Sequence, residues 1–253
     1  MDRLKVPLLL VSLVMVWGTI GSVVWQVIDQ SPLFEHLELL QETNSPLVAP
    51  TTTPDVLQIK SEIEELIQQL PGTWGVYFED LETSQNFGIN ETRKFYAASL
   101  SKVPILIAYF EQIEKGELSP RDKVTYMDTD FESGDGSIRQ SPLGTEFTLN
   151  QVVTKLIKES DNVAKNILIR KVGYQNIKSV IERVGANDTY LPDNVTTTAD
   201  MVKFFQAIYT NQLTSKSSSS QMIGLLTDTY FEDRLPQPLP ENVQVAHKIG
   251  TWP

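Results

Sequence analysis

Ala98-Ser99-Leu100-Ser101-Lys102-Val103-Pro104-Ile105-Leu106-Ile107-Ala108-Tyr109-Phe110 is the stretch on which the reading of this chain turns. From Ala98 to Lys115 the pattern is helical, and Leu100, Val103, Ile105, Leu106, Ile107, Tyr109, Phe110 and Ile113 put apolar side chains on nearly every side. A helix that is apolar all round belongs in the middle of a domain, not on its surface. Pro104 fits such a helix only near the first turn, where little backbone bonding is lost. Ser99 and Lys102 therefore fall at the start of a buried helix.

Residues three apart share a helix face, so the Ser99 hydroxyl and the Lys102 amine can touch. A serine hydroxyl is a weak nucleophile until a neighbouring base takes its proton. A lysine becomes that base when burial and nearby cations lower its pKa. Free N–H groups at the helix N-terminus can also stabilise an oxyanion beside Ser99. Four positions with two fixed recur often by chance, and a serine N-cap beside a snorkelling lysine gives the same spelling.

Outward from this helix the period of the apolar pattern changes several times. Ile63, Leu66, Ile67 and Leu70 are at helical spacing and Pro71-Gly72 ends that helix. Trp74 to Leu81 reads as a strand, with Asn86 to Asn90 as a hairpin partner after a polar turn. Gly116 to Glu146 is mostly loop. Leu149 to Lys158, Asn162 to Val172 and Tyr174 to Val184 read as three short helices, with two more from about Thr198 and about Ser217. Asn242 to His247 alternates as a strand does. The order is helix, two strands, a block of helices, then a strand. It predicts an α/β sandwich, an antiparallel sheet with flanking helices and an inserted helical subdomain.

Two further short motifs follow. Ser160-Asp161-Asn162 lies between two of the predicted helices, where Ser160 can relay a proton to a leaving nitrogen and Asn162 can hold a substrate amide. The same three residue types also favour a plain N-cap, and Ser84-Gln85-Asn86 shows the S-x-N spacing is common. Lys248-Ile249-Gly250 follows the last strand, where a lysine can meet a substrate carboxylate and a glycine lets backbone approach closely. Lys171-Val172-Gly173 has the same spelling but ends a helix as a C-cap.

The three elements occur in the order S-x-x-K, S-D-N, K-x-G, and from about Trp74 to Gly250 the chain resembles the class A β-lactamases and penicillin-binding proteins. Pro142-Leu143-Gly144-Thr145, Thr196-Thr197-Thr198-Ala199-Asp200-Met201, Asp233-Arg234-Leu235-Pro236 and Ala246-His247-Lys248 carry the likeness between the motifs. The resemblance implies Ser99 as acylated nucleophile, Lys102 as its proton acceptor and Ser160 as proton shuttle. It implies that Asn162 positions substrate, that Lys248 and Gly250 serve the carboxylate end, and that the N–H groups of Ser99 and Thr251 form the oxyanion hole. It implies first a β-lactamase-type hydrolysis of β-lactams, with a slow-deacylating D-Ala-D-Ala peptidase-like penicillin-binding protein or a non-catalytic binder of penicillin or cell-wall fragments as alternatives, no cofactor and a monomeric protein.

Three departures temper what the likeness implies. Class A enzymes carry a glutamate, on an omega loop, that activates the deacylating water. Here Ala186 to Val195 holds only Asp188 and Asp193 as acids, both in turn-like contexts, so the acyl-enzyme is expected to persist as in a penicillin-binding protein. Ile249 stands where the family has Thr or Ser; one lost hydrogen bond to a carboxylate is worth about 1.5–3 kcal/mol, which weakens binding without abolishing it. The family also continues past the Lys248 strand with two more strands and a helix, so the sequence reads as part of a longer frame.

Residues 1–29 form a separate unit. Val6 to Ile28 is an uncharged apolar run of 23 residues behind Arg3 and Lys5, long enough to cross a membrane as a helix with the N-terminus inside. It exceeds a usual signal-peptide core and lacks a small-x-small cleavage site, which favours an uncleaved anchor over a cleaved leader. Residues 30–54, with Pro32, Pro46, Pro50 and Pro54, read as an extended tether, and residues 55–253 as an extracytoplasmic domain. Net charge of −11 argues against nucleic acid. The chain lacks cysteine, which excludes thiol chemistry and disulfides, and two histidines with no H-E-x-x-H make a metal site unexpected. His247 is read as a helper to Lys248 rather than a triad base, since Lys102 fills that role. Asn90, Asn187 and Asn194 begin N-x-T sequons.

Overall fold

In a computed structural model that describes residues 11–14, 55–240 and 242–252, the architecture is built around the expected central helix. That helix is α2 (Lys102–Glu114), and every residue from Lys102 to Gln112 is buried. A tight 3₁₀ turn, Ala98–Ser101, leads into it, and Pro104 stands in its first turn, as the missing N–H requires. Helices α3 (Leu149–Lys158), α4 (Asn162–Val172), α5 (Tyr174–Arg183), α6 (Thr198–Tyr209) and α7 (Lys216–Leu226) all touch α2. The core between them is drawn from one stripe of each helix: Leu149, Val152, Val153 and Leu156 on α3, Val163, Ile167 and Leu168 on α4, Ile177 and Val180 on α5. The three helices of the expected block lie within a residue of their predicted bounds, because their apolar spacing and their caps agree. Thr148 and Gln151 form a capping box for α3, and Asp161 caps α4.

The sheet layer is thin. Strands β1 (Val11–Val14), β2 (Gly75–Glu79) and β3 (Asn86–Ile89) run antiparallel in that order. Helix α1 (Val56–Gln68) packs on β3, with Ile59, Ile63 and Ile67 against Val76, Phe87 and Ile89, while α6 packs along β1 and β2. Two short ladders brace the loops: β4 (Phe95–Tyr96) with β7 (Val195–Thr196), and β5 (Lys123–Thr125) with β6 (Glu146–Thr148). The α/β arrangement with a helical subdomain between strands is thus as expected.

One expectation changes, and another falls mostly outside the described residues. Residues 242–247 form no strand: a strand needs a ladder partner, and the backbone bonds recorded here are isolated ones, Val243 to Pro240 and His247 to Leu226. The apolar run 6–28 lies outside the described residues except for Val11–Val14, which is a strand on β2. No helix among the described residues is long and apolar enough to cross a membrane.

Candidate active site

The chain reaches Ser99 through a strained turn. The β4–β7 ladder and a 2.6 Å bond from Ala97 N to Asn194 O fix the approach, and Ala98 then adopts φ +47°, a left-handed conformation unusual for a residue with a Cβ. The Ser101 hydroxyl donates to Ala98 O at 2.7 Å and holds the turn shut. Ser99 thereby stands at the mouth of α2, and Lys102 Nζ donates to its Oγ at 2.9 Å. The i,i+3 contact read from the sequence is present.

Lys102 is only 1% exposed. Its amine also donates to Ser160 Oγ at 3.1 Å, to Asn162 Oδ1 at 2.8 Å, and to the Ser160 carbonyl. None of these acceptors is a carboxylate. Burial pulls the Lys102 pKa down to about 7, the Lys165 cation pushes the same way, and Asp135, Asp161 and Glu132 oppose them. A good share of this lysine is therefore neutral at physiological pH, as a general base must be.

Ser160 and Asn162 come from the junction of α3 and α4. Ser160 is buried at φ +55°. Asp161, fully buried, accepts from Ala164 N and from Ile138 N, both at 2.8 Å, and so ties α4 to the 3₁₀ turn Ile138–Gln140. Gly136, at φ +104°, gives Asp161 its space: a Cβ there would lie 2.1 Å from Asp161 Cγ. Asn162 Nδ2 donates to Ser133 O at 2.8 Å, which leaves Oδ1 facing Lys102.

Segment 247–250 closes the far side. Lys248 Nζ donates to Ser160 Oγ at 3.0 Å and to Ile249 O at 2.8 Å, with the Phe231 ring 5.8 Å away. Burial, then the charge of Lys102, pushes its pKa well down, against Asp135. Gly250 is pressed on the nucleophile turn: an added Cβ would meet Ala97 O at 2.8 Å and Ser99 N at 3.2 Å. Thr251 is exposed, and Trp252 beside it packs on Tyr96 at 4.5 Å between ring centroids. His247 points away from the nucleophile: its Nε2 lies 2.9 Å from Glu232 Oε1 and 3.4 Å from Thr229 Oγ1, so it braces the 229–232 loop and serves as no triad base.

Six of the seven residues singled out in the sequence, Ser99, Lys102, Ser160, Asn162, Lys248 and Gly250, thus meet in one neighbourhood, and exposed Thr251 follows Gly250 in the chain. In segment 186–195, Asp188 pairs with Lys94 at 3.2 Å and Asp193 is exposed. Sequence reasoning missed Glu132, Ser133, Asp135 and Lys165. The Gly134-x-Gly136 pair in a polar loop, and a lysine three residues after Asn162, were the available signals. Among the described residues no cluster of three or more His, Asp or Glu could hold a metal.

Residues 58–253 match the family described as the beta-lactamase enzyme family. Beta-lactamase VEB-1 of Pseudomonas aeruginosa is 27% identical over 225 residues, covering 81% of this chain and 75% of that protein. A Bacillus licheniformis beta-lactamase is 20% identical over 188 residues, or 74% of this chain, which spans only 58% of that relative. Among solved structures, a beta-lactamase from Sphaerobacter thermophilus superposes with a TM-score of 0.72 at 27% identity, covering 78% of this chain and 79% of that one. An acyl-enzyme complex of a PBP-A variant with penicillin G gives 0.73 at 23% identity, covering 77% and 78%. With more than half its length matched by the family and its serine, lysine and asparagine motifs assembled in one site, the chain belongs to the beta-lactamase enzyme family of serine hydrolases.

Proposed function

We propose that Ser99 is acylated by β-lactams and releases the acyl group slowly. The observation that carries this reading is the 2.9 Å contact between Ser99 Oγ and a buried Lys102 amine whose pKa falls to about 7. Neutral Lys102 accepts the Ser99 proton as Oγ attacks the lactam carbonyl. The N–H groups of Ser99 and Thr251 receive the oxyanion. Ser160, bonded to both amines, passes a proton to the leaving nitrogen as the ring C–N bond breaks. Lys248 faces the substrate carboxylate with Gly250 beneath it, and Asn162 holds the acyl amide.

Slow release follows from segment 186–195, whose two acids are a surface ion pair and an exposed turn residue. Neither supplies the buried carboxylate that would activate water. The same feature favours a second reading, a D-Ala-D-Ala-type peptidase with penicillin as a trapping inhibitor. We further propose that the apolar run 6–28 anchors a monomeric domain to the membrane with the site outside, a state in which Val11–Val14 leave β2.

Intact mass followed over time after addition of penicillin G tests the acylation. A Ser99 adduct that outlasts the free drug, and is absent in Ser99→Ala, is the expected result. An adduct that forms and clears within a few turnovers would overturn slow release, and a folded protein with neither adduct nor drug loss would overturn acylation itself.

A further inference from the structure

Helix α4 sends three polar side chains toward the loop before Ile138. Asn162 and Lys165, three apart, share one face, and Asn166 follows. Lys165 Nζ lies 2.7 Å from Glu132 Oε2, and Asn166 Nδ2 donates to the same oxygen at 2.9 Å and to Asp130 O at 3.2 Å. Glu132 is therefore held by two donors from α4. The next carbonyl along the loop, Ser133 O, accepts from Asn162 Nδ2 at 2.8 Å. That bond decides which way the Asn162 amide faces, and so presents Oδ1, not the NH2 group, to Lys102.

We infer that Lys165 is a positioning residue for the Ser99–Lys102 pair, acting through Glu132 and Asn162 and through its own charge. The inference rests on Ser99 and Lys102 being the acylating pair. The bridge pins the loop that orients Asn162, and the ammonium's charge opposes a second charge on the Lys102 amine. Lys165 is 20% exposed in its side chain, so its field is only partly screened by water. The charged groups that face Lys102 come from every side: Lys165 and Asp161 from α4, Glu132 and Asp135 from the loop, and Lys248 from segment 247–250. Lys165 and Glu132, although bonded to each other, act on Lys102 with opposite sign.

That opposition gives the test. The Lys102 titration is followed directly by NMR of lysine labelled at Cε and Nζ, assigned with Lys102→Arg, and in parallel the pH profile of Ser99 acylation by penicillin G is recorded. Lys165→Gln should move the midpoint up by roughly half a pH unit, leaving about threefold less neutral amine at pH 6. Glu132→Gln should move it down, and Lys165→Arg, which keeps cation and bridge, should restore the wild-type midpoint. Thermal melting shows that each variant is folded. Midpoints that shift in the same direction in both bridge-breaking variants, or stay still in both, would overturn the inference and leave the pair a structural bridge. If the NMR midpoints diverge as expected while penicillin gives no adduct, the positioning role stands and the β-lactam reading is what fails.

Discussion

Lys102 and Lys248 share one hydroxyl: their Nζ atoms stand 3.1 and 3.0 Å from Ser160 Oγ. Two ammonium groups gathered round a buried neutral oxygen repel each other, and both pKa values are pulled down, chiefly by burial. The hydroxyl is the one group that can take a proton from the first amine and offer its own to an atom bound near the second. Ser160→Ala should therefore slow the acylation of Ser99 by roughly 100-fold or more, while the fold, checked by melting, persists. Stopped-flow acylation with a chromogenic cephalosporin reads this out, and a loss under threefold would remove Ser160 from the proton path.

The depressed Lys102 pKa also has a consequence for stability. In the unfolded chain the amine holds its proton up to its ordinary value of 10.5; in the folded protein it releases it at about 7. Between these values the unfolded state binds more protons, so stability rises with pH across that window. Below about pH 7 both states are protonated and the full penalty of the buried charge is felt. The difference in melting temperature between wild type and Lys102→Met should accordingly shift in favour of wild type from pH 7 to pH 10. A difference that is flat with pH would mean that Lys102 keeps an ordinary pKa in the fold.

Much of this site is legible in the sequence because its parts are local. Ser99 to Lys102 is one helical turn, Ser160 to Asn162 one helix start, and Lys248 to Gly250 three successive residues, so spacing alone gives each piece its geometry. The order of the pieces, and the all-round apolar character of the helix carrying the first, gives the fold that unites them. Glu132, Ser133, Asp135 and Lys165 were harder to read, since the loop meets the site through carbonyls, Ser133 O accepting from Asn162 Nδ2 and Asp135 O from Asn162 N, that no periodicity encodes. The segment after Pro240 failed for a related reason: alternation of Val243 and Val245 marks a face, but a strand also needs a neighbour to bond.

The contact between Gly250 and the nucleophile turn offers a sharper test of assembly. An alanine Cβ at 250 would approach Ala97 O to 2.8 Å and Ala98 Cβ to 3.2 Å, both on a turn already strained at Ala98. The turn has little room to give, so segment 247–250 must move out by a few tenths of an ångström, carrying Lys248 and the Thr251 N–H with it. Gly250→Ala should cost about 10-fold in acylation, since a full misplacement of about 1 Å costs about 100-fold. Melting temperature should fall much less, since segment 247–250 lies at the edge of the core. Acylation at the wild-type rate would show that the oxyanion site does not depend on this close approach.

Asp161 presents the reverse case, a site-motif residue whose work is structural. Its carboxylate touches neither Ser99 nor substrate-facing atoms; it accepts from Ala164 N and Ile138 N and is fully buried. Removing it in Asp161→Ala deletes a helix cap worth about 1 kcal/mol and leaves the Ile138 N–H buried without a partner, at about 1–3 kcal/mol. Together these predict a loss of about 2–4 kcal/mol in denaturant unfolding. Gly136→Ala attacks the same contact from the other side, because its Cβ would lie 2.1 Å from Asp161 Cγ at a backbone φ of +104°. Removing the carboxylate lifts the two closest collisions, with Cγ and Oδ2, and leaves the 2.4 Å approach to Cβ of residue 161 and the backbone strain of a left-handed alanine. The double variant should therefore be less destabilised than the sum of the two single ones. Strict additivity would mean that Gly136 is required for its backbone conformation and its clearance of Cβ of residue 161, not for the room it gives the Asp161 carboxylate.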